Sequence, residues 1–314
     1  MSRLYEALRR LEKEQRQPGT DAAAEPAQPA DQIDNALSKQ AELERAPAAN
    51  VEVSPASRLV ALTDPKSLGA EKFRALVTRL ENLRQKRELK CLQITSGVMN
   101  EGKTVVAGNL AVTLAKHSGF KVLLVEGDLH KPELASQLGL SVLPGLSHWW
   151  AGQGESIARY VHKLNDMPLW FLSAGVASEQ PSQILQSARF AEAFGKLSGE
   201  FDWIIVDSTP MLPAVDANLW SRLMDGMLLV VREGVTPIKA LKRGLAALDN
   251  PKLVGVILNE ASEFDLANYQ DQYYTGPRNG NDRHKRPSRS VFETARAWLP
   301  STSRHPKSTI AEKE

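Results

Sequence analysis

The segment Gly97-Val98-Met99-Asn100-Glu101-Gly102-Lys103-Thr104 constrains this chain more than any other, because a G-x-x-x-x-G-K-[ST] loop functions only between a buried strand and a helix. Both neighbours are legible. Leu92-Gln93-Ile94-Thr95 before the loop reads as a strand, and residues 105–117 after it read as an apolar helix that opens at Val105. The loop amides and the helix N-terminus then cradle phosphate groups, Lys103 reaches the outer phosphates and the Thr104 hydroxyl is placed to ligate magnesium. The pattern implies a nucleotide and Mg2+ as the bound pair.

Six short apolar runs read as strands: 90–95, 121–126, 169–173, 202–207, 226–231 and 253–258. Most are continuous rather than alternating, as strands covered on both faces should be. Interleaved with helical stretches, they predict an α/β fold of the P-loop NTPase-like kind: a mostly parallel sheet with helices on both faces. A further helix is expected over 65–87. Flexible N- and C-terminal extensions flank this domain. Residues 1–16 place Leu4, Tyr5, Leu8 and Leu11 on one face of an amphipathic helix, and 17–56 are an Ala-, Pro-, Gln- and Glu-rich linker with too little apolar surface to fold. The domain is expected over 57–262. Residues 263–314 form a tail that carries Tyr269, Tyr273 and Tyr274, a basic run at Arg283-His284-Lys285-Arg286 and a short helix near 291–299.

The 39 basic and 37 acidic residues nearly cancel, so overall charge gives no argument for nucleic acid, and none is expected as a partner. A single cysteine, Cys91, excludes an intramolecular disulfide, and the first residues have no apolar leader. Apolar runs such as Met227-Leu228-Leu229-Val230-Val231 fall short of the roughly 18 residues of a membrane span. The expectation is a cytoplasmic protein whose contact with a membrane goes through a partner.

Phosphoryl chemistry also needs carboxylates at the carboxyl ends of neighbouring strands, to hold magnesium and orient the attacking group. Two strands end that way, as Val122-Leu123-Leu124-Val125-Glu126-Gly127-Asp128 and as Trp203-Ile204-Ile205-Val206-Asp207-Ser208-Thr209-Pro210. Glu126, Asp128 and Asp207 thus join Thr104 as candidate metal ligands. Lys103, Asp128 and Asp207 are the candidate catalytic residues.

The order of phosphate loop, Leu-Leu-Val-Glu-Gly-Asp-Leu-His-Lys-Pro and Asp-Ser-Thr-Pro resembles the bacterial tyrosine autokinases of capsule and exopolysaccharide synthesis. Further matches are Pro144-Gly145-Leu146, Ser173-Ala174-Gly175, the run from Pro181 to Ser187, and Gly255-Val256-Ile257-Leu258-Asn259. The likeness runs from about Arg58 to Glu260. It implies an ATP-dependent protein-tyrosine kinase in which Lys103 and Thr104 serve ATP and magnesium, Asp128 belongs to the second acidic motif and Asp207 is the Walker B acid. Asn259 joins the nucleotide-binding residues. The resemblance also implies a homo-oligomer that phosphorylates Tyr269, Tyr273 and Tyr274 of a neighbouring subunit. A membrane-embedded chain-length or copolymerase protein would activate it and hold it at the inner face of the membrane.

A tyrosine hydroxyl, with a free pKa near 10, needs a carboxylate to take its proton. Either Asp128 is that base, or Asp128 holds magnesium through water while Asp207 orients the nucleophile. Three departures from the family pattern stand out. Glu126-Gly127-Asp128-Leu129-His130 replaces Asp-x-Asp-x-Arg, Val77 and Arg79 follow Glu71 and Arg74 where the family has Glu-x-x-Arg-x-x-Arg, and the tyrosines are few. Two other readings remain: a non-catalytic ATP-binding adaptor, and a septum-site or partition ATPase. The latter carries a lysine after the first loop glycine, where this chain has Val98.

Overall fold

The computed structural model describes residues 46–152, 156–165, 167–212, 215–249 and 252–261. The expected helix over 1–16, most of the linker, the three tyrosines, the basic run and the helix near 291–299 lie outside them. In chain order the elements are β1 (Ala48–Ala49), α1 (Val60–Thr63), α2 (Leu68–Arg84), β2 (Cys91–Ser96), α3 (Lys103–Ser118), β3 (Val122–Glu126), α4 (Leu134–Gln137) and α5 (Leu146–Ala151). A 3-10 turn (Ile157–Tyr160) leads into β4 (Val161–Leu164) and β5 (Leu169–Leu172). Then come α6 (Pro181–Gln186), α7 (Ala188–Ser198), β6 (Trp203–Asp207), α8 (Val215–Leu223), β7 (Gly226–Arg232), α9 (Ile238–Ala246) and β8 (Leu253–Asn259).

The strands form one sheet in the order β1-β4-β5-β3-β6-β2-β7-β8. Every neighbouring pair is parallel except β4 and β5. The six expected strands are β2, β3, β5, β6, β7 and β8, each within a residue or two of its expected bounds. Side chains alternate across the sheet. Leu92, Ile94, Leu124, Phe171, Trp203 and Ile205 enter a core under α2 and α3, while Leu123, Val125, Leu172, Ile204 and Val206 meet Phe190, Phe194 and Trp220 on the other face. Buried Gln93 interrupts that second face and ties β2 to the adjoining elements, donating to Ser208 Oγ and to the Ala217 carbonyl, both at 2.9 Å.

Three expectations change. β1 lies inside the stretch read as linker, and Val51 and Val53 behind it pack on the core, so residues 46–56 belong to the folded domain. β4 was not expected; it is short, antiparallel to β5, and half of its sequence is His162 and Lys163. The helix expected over 65–87 is α2 alone and starts later, at Leu68, because Ser67 caps it by accepting from the Ala70 amide at 3.2 Å; the short α1 lies ahead of the expected range.

Asn109 of α3 docks the segment that leads into α1. Its Oδ1 accepts from the Ala61 amide at 2.9 Å, and its Nδ2 donates to the Arg58 carbonyl at 3.0 Å and the Val105 carbonyl at 2.9 Å. Leu59, 1% exposed, covers Gly108, where a β-carbon would press on its Cδ2 at 2.8 Å. Asn109→Ala leaves a buried donor and acceptor unpaired, so a loss of about 2–4 kcal/mol in urea unfolding is expected, with faster hydrogen exchange at the Ala61 amide.

Candidate functional site

The phosphate loop is tied down from behind. Glu101, 1% exposed, accepts the Val98 amide on Oε2 at 3.0 Å and the Thr236 hydroxyl on Oε1, while its carbonyl accepts from Asn259 Nδ2 at 2.9 Å. Ser96 Oγ donates to the Val98 carbonyl at 2.7 Å. Gly102 adopts φ 92, in the left-handed region, and a β-carbon there would overlap the Asn259 amide; only glycine fits. The loop is thereby held in shape by side chains from β2, the end of β8 and the turn after β7.

Its front opens on a cleft of about 850 Å³ lined by Met99, Asn100 and Gly102 through Val105 on one side and by Asp128 and Thr209 on the other. Gly97, Val98 and Glu101 form the back of the loop rather than the cleft wall. The register of β3 on β6 sets Glu126 opposite Asp207, and the Gly127 amide donates to the Asp207 carbonyl at 2.8 Å. Trp220 Nε1 donates to the Gly127 carbonyl at 3.0 Å. A β-carbon on Gly127 would meet Val206 Cγ1 at 2.7 Å, so this close approach needs glycine. Asp128 and Asp207 consequently converge on one ammonium, with Lys103 Nζ 3.2 Å from Asp128 Oδ2 and 3.8 Å from Asp207 Oδ1.

The electrostatics of this trio are lopsided. Burial alone would lower the Lys103 pKa, but Asp207 and Asp128 beside it outweigh that and hold it above the usual lysine value. For Asp207 burial wins: desolvation pushes its carboxyl up to about 6, against the pull of Lys103 and a hydrogen bond from Thr104. Asp207 Oδ1 is buried with no hydrogen-bond partner. A buried carboxylate oxygen without a donor, beside Thr104, suits a cation. Among the described residues no group of three His, Cys, Asp or Glu side chains is arranged to hold a metal unaided.

Glu126 behaves differently from expectation. Glu126, 1% exposed, accepts the amides of Leu134 and Ala135 on Oε1 at 2.7 and 3.1 Å, and Ser173 Oγ and the Ala174 amide on Oε2, both at 3.1 Å. A carboxylate has about four lone-pair sites, and all are in use. Glu126 anchors α4 and the end of β5 instead of offering a ligand to metal. Asn259 spends its amide on the loop carbonyl, which makes it a support for the cradle. His130, where the family pattern has arginine, places Nε2 2.8 Å from Asp216 Oδ2, while Ser182 Oγ donates to Asp216 Oδ1 at 2.9 Å. Sequence reasoning missed Asp216, Thr236, Arg58 and Arg232 around the loop and cleft, which come from separate elements and carry no local motif, and gave no role to Ser182, although it lies in a matched run.

No protein-family model matches the chain. It is 32% identical over 203 residues to the tyrosine-protein kinase YwqD of Bacillus subtilis, an alignment covering 64% of this chain and 85% of that one. The chain belongs to the bacterial tyrosine-protein kinases. This kinase is also 33% identical over 220 residues to the succinoglycan biosynthesis transport protein ExoP of Rhizobium meliloti, covering 68% of its own length and 28% of ExoP. Its fold matches the kinase domain of the Escherichia coli tyrosine kinase ETK with a TM-score of 0.60 at 26% identity, over 72% of this chain and 88% of that domain.

The raised Asp207 makes a signed prediction. Its folded pKa of about 6 lies above the ordinary carboxylate value of 3.8, so the native state binds more protons than the unfolded chain between these values. Stability of the nucleotide-free kinase should therefore fall by about 3 kcal/mol in total as pH rises from roughly 4 to 7. Asp207→Asn should flatten that slope and be the more stable protein at neutral pH, as read by urea unfolding across the range.

Proposed function

We propose that this kinase uses ATP and magnesium to phosphorylate Tyr269, Tyr273 and Tyr274 of a neighbouring copy, and that cycles of this labelling control exopolysaccharide or capsule synthesis and export. The observation that carries the reading is the convergence of Asp128 and Asp207 on Lys103 at the mouth of a phosphate loop. When nucleotide arrives, Lys103 exchanges its two carboxylates for phosphate oxygens, a trade of one set of charge-assisted hydrogen bonds for another. The exchange frees Asp128, which faces the cleft, to take the proton of the acceptor hydroxyl. Asp207, deeper and with an unpartnered oxygen, would hold magnesium together with the Thr104 hydroxyl. Magnesium, when bound, neutralises charge on the phosphates during transfer.

The likeness to ExoP supports the link to polysaccharide export. Among the described residues no helix is long and apolar enough to cross a membrane. The activating partner in this reading is a membrane-embedded chain-length or copolymerase protein, whose cytoplasmic segment draws the kinase to the inner face of the membrane.

Incubating the full chain with ATP, Mg2+ and that cytoplasmic segment should label the three tyrosines, as read by phosphopeptide mass spectrometry. Lys103→Met should lower labelling by at least about a hundredfold, in keeping with the loss of a charge-stabilising group, and Asp128→Asn should lower it while ATP binding persists. ATP binding without label under every partner condition would refute the kinase reading of the tail.

A further inference from the structure

Where the chain enters and leaves the phosphate-loop cleft, two arginines converge on one carboxylate. Arg58, in the segment before α1, places NH1 3.0 Å from Glu260 Oε1; Arg232, at the end of β7, pairs with Glu260 Oε2. All three side chains line the cleft that also holds Lys103, Thr104 and Asp128. Each guanidinium thus takes one oxygen of the same acid. Phosphate has the same geometry to offer, with a third oxygen and up to twice the charge.

We propose that Arg58 and Arg232 form a second phosphate-recognition site in this cleft, distinct from the loop, which Glu260 occupies as an internal stand-in, and that its ligand is the phosphotyrosine of the C-terminal segment. The inference rests on the kinase reading above, because it makes the product of the reaction a ligand of the site that forms it.

The charges favour exchange. One carboxylate leaves a pair of arginines with a net positive charge, which a phosphomonoester dianion cancels. Arg58 is 74% exposed, and exposed ion pairs are weak and readily replaced. Glu260 sits at φ 53, a left-handed conformation uncommon for glutamate, so its bridge holds the backbone in a form that glutamate rarely takes by itself. The chain length permits the return: Tyr269 follows Glu260 by nine residues, which extend to about 30 Å. A phosphorylated segment seated here would displace Glu260, keep the product in the cleft and slow the next acceptor's approach.

A terminal phosphate could also come from the nucleotide, so the test separates the two sources. Synthetic peptides spanning residues 266–276, with and without phosphate on Tyr269, are titrated by calorimetry into the full-length Lys103→Met protein, in which the loop's phosphate-binding lysine is absent, and ADP is titrated into the wild type. The phosphopeptide should bind about tenfold or more tightly than its unmodified twin. Arg58→Gln and Arg232→Gln should each remove most of that preference, and Glu260→Gln, which removes the internal competitor, should increase it; matched melting curves exclude misfolding. Equal binding of the two peptides, or a preference indifferent to both arginine variants, would overturn the proposal. So would a tenfold loss of ADP affinity in the arginine variants with peptide binding unchanged, since the pair would then serve the nucleotide. Because the phosphate is installed chemically, the proposal does not fail merely because the chain cannot label itself: absent labelling counts against the kinase reading of the tail, and absent discrimination counts against this site.

Discussion

Strand β3 lies on β6 with Glu126 opposite Asp207, and the Gly127 amide extends that ladder by donating to the Asp207 carbonyl. This one register positions the whole cleft. It brings two acids from strands 81 residues apart in sequence within reach of a single ammonium, and it turns the first acid of the motif away from them. A slip by one residue would exchange the inward and outward side chains of the strand. Trp220 above and Val206 below leave room only for glycine at position 127, so the register is enforced by sterics as well as by hydrogen bonds.

Glu126 and Glu101 show how buried acids can serve a site without touching its ligand. Each is 1% exposed, and each uses both carboxylate oxygens to hold backbone amides or hydroxyls. Buried carboxylates are costly unless so satisfied. Asp207 is the exception: one of its oxygens has no hydrogen bond, and it is reluctant to ionise because it is buried. Contrast among these acids separates support from chemistry better than their position at strand ends does.

That contrast explains what the sequence could reveal. The loop, the six strands and the pairing of Asp128 with Asp207 were legible, because continuous apolar runs and a fixed motif are local signals. Glu126 was misjudged as a metal ligand because the donors that saturate it, at Leu134, Ala135, Ser173 and Ala174, come from two other segments, and no local motif marks them. β1 is two alanines, and β4 sets two polar residues between two apolar ones over only four positions, so neither has a periodicity to read. The Arg58–Glu260 bridge spans 202 residues and had no signal at all.

The two-residue strand β1 has a mechanical consequence. Its ladder to the sheet pairs Ala48 and Ala49 with Lys163 and Leu164, on the outer side of a β4 that itself runs against the grain of the sheet. Tension applied to the chain ahead of residue 46 would load this short ladder before any of the central strands. It would act as a shear pin, parting at low force and sparing the register on which the acids depend.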